Sequence, residues 1–325
     1  MKVLVTGASG FLGSHVVERL AARGEQVRAL VRKTSNRKHL ERLPNVELFE
    51  GSVEQIDRMR EAVEGVDAVV HAAGIIKARS TDEFFAINVG GTSNVVQAAR
   101  GRGLRRFVLV SSLEACGPSS TGAAVSVDQE SPVTAYGRSK LASEKVVLAV
   151  KDEMPVTILR PGAIYGPRDN EILEAFRSIQ RGLLPLVAGG LAKGVWIYAT
   201  DCAEACIRAI EADVPSGRIY FVDDGCGPIE LKRMLADAEA ALGRSALVRA
   251  SLPVPLLMAV ARGLEVFGRV TNRPVMLTRE KANMLLQDWI CDSSETQRDL
   301  GWRAQVPWSE GVKRAVAWYR ENGWL

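Results

Sequence analysis

The first half of the chain alternates short, almost wholly apolar segments with helical patterns. Segments such as KVLVT (2–6), QVRALV (26–31) and RRFVLVSS (105–112) are apolar at nearly every position instead of every second one. Such runs are typical of parallel strands that are covered on both faces. Because helical patterns separate them, we expect βαβ units and an α/β fold with a doubly wound parallel sheet.

The same patterns predict where most elements lie. We expect helices over 11–23, 55–64, 81–102 and 134–151, and further strands at VELFEG (46–51), DAVVHAAG (67–74) and PVTILRP (155–161). Helical patterns dominate after residue 171, except at VWIYATD (195–201) and GRIYFVDD (217–224). We therefore predict a dinucleotide-binding domain over 1–165, with returns near 195–222, and a smaller, mostly helical substrate-binding lobe over 166–194 and 223–325.

A glycine-rich loop follows the first strand in TGASGFLG (6–13), where Gly7, Gly10 and Gly13 are three residues apart. Glycine lets the backbone turn tightly and approach a pyrophosphate, whose charge is favoured at the N-terminus of the next helix. The spacing is one residue longer than the G-x-G-x-x-G fingerprint, and a plain tight turn is the alternative. Between a first strand and a helix, it predicts a Rossmann-type dinucleotide site that also includes Ser9, Phe11 and Leu12.

The end of the second strand bears on the choice of cofactor. NAD sites usually have an acidic residue there, whereas this chain has Arg32 and Lys33. A guanidinium suits a 2′-phosphate in charge and geometry. A solvated strand end is the alternative reading, and we expect NADP(H), with NAD possible.

Tyr136 and Lys140 lie one turn apart in TAYGRSKLASEK (134–145), so both side chains project from one face of the predicted helix. A carbonyl that receives hydride needs a proton, and an ammonium group near a phenol lowers the phenol's pKa and eases proton exchange. We expect Tyr136 to be the acid/base.

Together these segments resemble the extended branch of the short-chain dehydrogenase/reductase superfamily, of the NAD-dependent epimerase/dehydratase type. The matching motifs are TGASGFLG, HAAG (71–74), INVGGT (87–92), VLVSS (108–112), Tyr136-x-x-x-Lys140 and LRPGAIYGPR (159–168). The resemblance implies that Ser112 polarises the substrate carbonyl, that Asn88 supports proton transfer and that Lys140 binds the nicotinamide ribose. It further implies cofactor contacts at Ser52, Val53, Ala72, Ala73, Pro161 and Ile164. Ser52 departs from the family, which usually has an Asp there.

The substrate class is less sharply indicated. Nucleotide-sugar members commonly carry an arginine where this chain has Gly194, although Arg168 and Lys193 could compensate in part. The apolar stretches 184–190 and 251–268 suggest a wall or lid over an apolar ligand, or a face that rests on a membrane; an ordinary core is the alternative. We expect a cavity lined by 184–187 and 253–266, with few charged side chains beyond Arg168 and Lys193.

We therefore predict an enzyme, an NADP(H)-dependent oxidoreductase that interconverts a ketone and a secondary alcohol on an apolar or amphipathic small molecule. The C-terminal half of the sequence resembles dihydroflavonol reductases and 3β-hydroxysteroid dehydrogenases more than it resembles sugar epimerases. The alternatives are a nucleotide-sugar 4-epimerase or dehydratase that retains its cofactor, and a non-catalytic NADP-binding sensor or scaffold.

Composition and cysteine usage limit the partners. With 42 basic and 38 acidic residues, the chain has no charge excess that would favour nucleic acid. Five cysteines without framework spacing predict reduced, buried thiols and no metal site.

We expect a cytoplasmic protein without a transmembrane segment, with peripheral membrane contact possible. We also expect a homodimer, paired through Val95, Ala98, Ala99, Leu141, Val147 and Leu148, and packing of these residues in the core is the alternative.

Overall fold

The computed structural model describes residues 1–120, 122–271, 275 and 277–325. Within these ranges, seven parallel strands form one sheet in the order β3-β2-β1-β4-β5-β6-β11. They are β1 (Lys2–Thr6), β2 (Gln26–Val31), β3 (Val46–Glu50), β4 (Ala68–His71), β5 (Arg106–Val110), β6 (Val156–Pro161) and β11 (Arg218–Val222). The predicted doubly wound α/β fold is confirmed.

Helices cover both faces of this sheet, which explains why its strands are apolar throughout. One face packs on α1 (Phe11–Ala22) and α7 (Ala199–Glu211), and the other on α2 (Ile56–Ala62), α4 (Gly91–Ala99) and α5 (Ala135–Leu148). The helix predicted over 81–102 begins as α3 (Thr81–Phe84), passes through a π-helical turn at Phe85–Gly90 and ends at Ala99.

The remaining elements follow β6 or β11 in the chain. The strand pairs are β7 (Ala163–Tyr165) with β10 (Trp196–Tyr198), β8 (Leu183–Val187) with β13 (Val248–Leu252), and β9 (Lys193–Gly194) with β12 (Ile229–Glu230). The helices are α6 (Asn170–Gln180), α8 (Leu231–Leu242), α9 (Val254–Thr271), α10 (Arg279–Met284), α11 (Ser294–Asp299) and α12 (Trp308–Glu321). Among the helices described, none is both long enough and apolar enough to cross a membrane.

Burial in the core bears on two of the sequence expectations, the faces of the dimer and the buried cysteines. Val95, Ala98, Ala99 and Val147 are buried inside the single chain, so the faces named for a dimer are core and give the dimer no support. Four of the five free cysteines are buried as expected, but Cys226 is exposed.

A buried ion pair joins the helix α5 to the strand β6. The guanidinium of Arg160 binds both oxygens of Glu144, at 2.9 Å and 2.6 Å, and both side chains are almost fully buried. Glu144 also accepts a hydrogen bond from Ser111, at the end of β5. The pair therefore fixes α5, one turn beyond Lys140, against the ends of two central strands.

Breaking this pair should be costly, since the remaining charge would stay buried. We expect Arg160→Met to lower the free energy of unfolding by about 3–5 kcal/mol. The double variant Arg160→Met/Glu144→Gln removes both charges and keeps an acceptor for Ser111, so it should recover most of that loss. Urea unfolding of the single and double variants measures both values, and a double variant no more stable than Arg160→Met would contradict this account.

Candidate active site

The loop between β1 and α1 approaches the end of β4 backbone to backbone. Gly7 has φ +69°, and a Cβ there would lie 2.8 Å from the amide nitrogen of Ala73 and 2.9 Å from the carbonyl oxygen of Ala72. A Cβ on Gly13 would overlap the carbonyl oxygen of Gly7. Gly10, the N-cap of α1, gives no side-chain cap to the first helical N–H groups. This glycine-lined helix N-terminus fits a pyrophosphate.

Some of the predicted cofactor residues have side chains that face the candidate site, and others have side chains that are buried in the core. Phe11 lines the large cavity described below, whereas the side chain of Leu12 is buried in the core. Any contact of Leu12 with a phosphate would therefore use its backbone. Val53 is buried as well, and the Ser52 hydroxyl donates to Glu54 at 3.1 Å.

Basic side chains follow the strand β2. Arg32 and Lys33 are both exposed there. The register of β2 on β3 brings Glu50 opposite Val31, an acidic neighbour that sequence reasoning missed because it belongs to another strand. Arg37 donates to this carboxylate at 3.0 Å and also to the backbone oxygen of Arg32. The acid near the strand end is thus already paired with a cation.

A cavity of about 930 Å³ at the carboxyl ends of the strands brings together Phe11, Ser112, Tyr136, Pro161 and Ile164. These residues come from four separate segments of the chain. Tyr136 lies in the first turn of α5, which begins at the N-cap Thr134, whose hydroxyl accepts from the N–H of Gly137 at 2.9 Å. Gly137 permits close packing of this turn, since a Cβ there would overlap the carbonyl oxygen of Glu114.

The electrostatics of the tyrosine differ from the expectation. Burial raises the pKa of Tyr136, and so does the nearby Glu114 carboxylate, while the Ser112 hydroxyl opposes the rise. Lys140 is not among the groups that act on it. Its ammonium donates instead to the carbonyl oxygen of Val110 at 2.6 Å, and burial lowers the pKa of Lys140 to about 8. The lowered tyrosine pKa expected from Lys140 is therefore not found in this arrangement.

Asn88 lies in the π-helical turn, and both the oxygen and the nitrogen of its side-chain amide are hydrogen bonded. Its oxygen accepts from the N–H of Ile75 at 2.8 Å, and its nitrogen donates to Ile75 O and to the hydroxyl of Ser139, at 3.1 Å and 2.9 Å. Ser139 directly precedes Lys140. Asn88 thus ties the loop after β4 to the catalytic face of α5.

Sequence reasoning did not single out His71, which ends β4. Its ring lies 2.6 Å from the Thr6 hydroxyl and 2.9 Å from that of Thr92, which itself donates to Asn88 O. Since the Thr92 hydrogen is used in this way, His71 Nε2 carries the proton. Burial lowers the pKa of His71 to about 3, so it is a neutral link between β1 and α4.

Two acidic residues near Tyr136 were also missed. Glu114 accepts from the Thr134 hydroxyl at 2.7 Å, and burial raises the pKa of its carboxyl. Glu280, from α10, accepts from the N–H of Ala135 at 2.6 Å and from Arg138 at 2.7 Å. Helix α10 therefore binds the N-terminus of α5, and this contact spans more than 140 residues of sequence and leaves no local pattern.

The substrate side of the cavity differs from the expectation in two respects. Leu184 packs in the core that α6, α8 and α12 share, so its side chain is turned away from the large cavity, whereas Met258 and Glu265 of α9 line that cavity. The lining is also charged, since it includes Lys77, Arg79, Glu171, Arg279, Glu280 and Lys281. Arg168 is withdrawn from it, because its guanidinium binds Glu18 and, at 2.7 Å, His15 on α1.

A second, smaller cavity of about 210 Å³ begins at Ser112, which also lines the large cavity. It shares Ser112, Glu114 and Pro161 with the large cavity. Its remaining wall is mainly apolar and includes Val195, Trp196, Ile229, Leu231, Leu285 and Trp289, with Lys193 beside them. An apolar recess therefore opens next to the group that would hold a substrate oxygen.

Residues 3–222 match the model of the NAD dependent epimerase/dehydratase family. The chain belongs to this family. It is 32% identical to the ceramide reductase of Caulobacter vibrioides, over 99% of this chain and 96% of the relative. It is also 32% identical to the 2-alkyl-3-oxoalkanoate reductase of Stenotrophomonas maltophilia, over 98% and 99% of the two chains.

Solved structures of the epimerase/dehydratase family share this fold. The dTDP-glucose 4,6-dehydratase DesIV from Streptomyces venezuelae, solved with NAD bound, superposes with a TM-score of 0.83 at 25% identity, over 100% of this chain and 98% of that one. Family membership and the reductase relatives make the chain an NAD(P)-dependent enzyme of the short-chain dehydrogenase/reductase type.

The contact between α10 and α5 gives a test that does not depend on activity. In Glu280→Ala the N–H of Ala135 loses its acceptor, so we expect faster amide hydrogen exchange in the first turn of α5, by about tenfold. Arg138→Ala is the matched control, because it removes the exposed partner and keeps the bond to the backbone. Mass spectrometry of peptides from this turn measures the rates, and equal rates in Glu280→Ala and the unmutated protein would show that α10 does not hold the helix.

Proposed function

We propose that this enzyme is an NADP(H)-dependent oxidoreductase that interconverts a ketone and a secondary alcohol on an apolar or amphipathic small molecule. The observation that carries the proposal is the mainly apolar recess that begins at Ser112. Apolar walls favour a hydrocarbon group, whereas a nucleotide diphosphate needs cationic and hydrogen-bonding groups. The two reductase relatives named above are consistent with this substrate class.

In this proposal, each catalytic side chain has a distinct task. The Ser112 hydroxyl donates to the substrate carbonyl oxygen. The raised pKa of Tyr136 keeps the phenol protonated, and the developing alkoxide, as the stronger base, takes this proton. Lys140, with a pKa of about 8, is largely charged at neutral pH and would bind the nicotinamide ribose. The bound dinucleotide supplies or accepts the hydride. Asn88 and Glu144 position the face of α5 that carries Tyr136 and Lys140.

The preference for NADP(H) rests on the charges at the end of β2. Arg32 and Lys33 are exposed and cationic, while the nearest strand-end acid, Glu50, is bound by Arg37. A 2′-phosphate would meet two cations there, whereas the ribose hydroxyl of NAD would lack the usual carboxylate acceptor. Lys33 and Arg32 are the residues we assign to the phosphate.

A nucleotide-sugar 4-epimerase or dehydratase is the second candidate, favoured by the cations around the large cavity and by the likeness to DesIV. Those cations are already paired within the chain: Lys77 and Lys281 with Glu171, Arg79 with Glu83, and Arg279 with Glu265. Receiving a diphosphate would require breaking some of these pairs, so the apolar substrate is the better fit.

Tyr136→Phe removes one oxygen and leaves the packing almost unchanged. We expect NADPH-dependent reduction of medium-chain ketones, sterol ketones or flavanones to fall by roughly 10²-fold or more, since the carbonyl loses its proton donor. The dissociation constant of NADPH should stay close to that of the unmutated protein. Full activity in the variant would remove Tyr136 from the mechanism, whereas an unmutated protein that acts only on nucleotide sugars would overturn the substrate class.

Arg32→Ala should weaken NADPH binding far more than NADH binding. Loss of a charged partner to phosphate corresponds to roughly 1.5–3 kcal/mol, or about 10- to 150-fold in affinity. Arg60→Ala, which removes an equal charge from the exposed face of α2, is the matched control and should change neither affinity. Fluorescence titration gives the four constants, and an unmutated protein that binds NADH as tightly as NADPH would contradict the assignment.

A further inference from the structure

The outer face of α9 is apolar along its whole length. Seven large apolar side chains of this helix are exposed, with Phe267 58% and Val270 81% accessible; the others are Val254, Leu256, Val260, Leu264 and Val266. A surface helix of a water-soluble domain normally turns such residues inward and charged residues outward. In α9 the residues between them on the outer arc, Pro255, Ala259 and Gly263, are uncharged as well.

The inner face of the same helix is occupied separately. Leu257 and Ala261 pack with Ala282 of α10 in a small core, and Met258 and Glu265 line the large cavity. Helix α9 therefore has apolar residues on both sides. The inner ones already fill the small core, so the exposed ones form a second, separate apolar face. Exposed apolar patches of this kind mark interaction sites.

Basic residues are concentrated in the part of the sequence that contains α9. The stretch 243–281 contains seven basic and two acidic residues, a net +5, although the whole chain has a net charge of only +4. Arg244 precedes the helix and Arg262 lies on its flank, and both are exposed. Arg249 is exposed as well, but it already binds Glu239 at 2.8 Å. An apolar helical face with arginines at its edge is the arrangement of helices that lie in the interface of an anionic membrane.

We propose that the outer face of α9 docks on a membrane surface that carries anionic lipid, with the helix axis parallel to the bilayer. Leu256, Val260 and Phe267 enter the boundary between headgroups and acyl chains, and Arg244 and Arg262 bind lipid phosphates. Because the other side of α9 lines the cavity, docking places the active site next to the bilayer, from which an apolar substrate can enter.

A second copy of the chain fits this face less well. A two-fold dimer through α9 would place the same apolar face against itself and would bring two copies of the positive rim together. Like charges at close range oppose that contact, whereas an anionic membrane neutralises them. The inference concerns binding alone, and so it stands whether or not the proposed function is correct.

The test is cosedimentation of the full-length protein with vesicles of phosphatidylcholine mixed with phosphatidylglycerol. We expect binding that weakens as salt is raised and that is weaker with phosphatidylcholine alone. Val260→Glu/Phe267→Glu should bind these vesicles about tenfold more weakly or worse, since both carboxylates would face anionic lipid. Ala236→Glu/Ala240→Glu adds the same charge to the exposed side of α8 and should bind like the unmutated protein.

Three results would overturn the proposal. The first is an unmutated protein that does not bind the mixed vesicles, and the second is an equal loss of binding in the α8 control. The third is a dimer in sedimentation velocity that Val260→Glu/Phe267→Glu dissociates, which would assign the face to a second copy. Thermal unfolding of both double variants, expected to match the unmutated protein because the altered side chains are exposed, separates loss of binding from loss of folding.

Discussion

The buried pair of Arg160 and Glu144 holds α5, which carries Tyr136 and Lys140 of the candidate active site, in place. Glu144 lies one turn beyond Lys140 on α5, Arg160 precedes Pro161 at the end of β6, and Ser111 joins them from β5. Desolvating two charges costs several kcal/mol each, and the cost is offset only while the bidentate geometry is kept. The pair therefore favours one register of α5, which carries Tyr136, against β5, which leads to Ser112, and β6, which ends at Pro161.

Around this fixed centre, backbone packing shapes the cofactor side and hydrogen bonding shapes the catalytic side. The glycines of the first loop allow backbone to meet backbone where any side chain would overlap. Asn88 and His71 then connect the ends of β1 and β4 to α4 and α5 through fully hydrogen-bonded buried groups. Such satisfied networks specify one arrangement, because each lost partner leaves a buried polar atom without a bond.

Features with a local signature were predictable from sequence. Apolar runs predicted the strands, one-turn spacing placed Tyr136 and Lys140 on one helical face, and the resemblance grouped them with Ser112. Contacts between distant segments were not predictable. Nothing near Glu280 indicates that it binds the N-terminus of α5, and nothing near Arg168 indicates that Glu18 and His15 withdraw it from the cavity.

The apolar stretch 251–268 was ambiguous because one periodicity describes a lid, a core helix and a membrane-facing helix equally well. Exposure of side chains separates these readings, and it depends on the whole fold.

The central claim is that hydride is transferred in net amount to a ketone on an apolar molecule. The most direct measurement is the molar ratio of NADPH oxidised to alcohol formed, with medium-chain 3-oxo compounds and sterol ketones as substrates and UDP-sugars in parallel. This account predicts one NADPH consumed for each alcohol produced from the apolar ketones, and no reaction with UDP-sugars. Interconversion of UDP-sugars without net consumption of cofactor, with the ketones left unchanged, would contradict it.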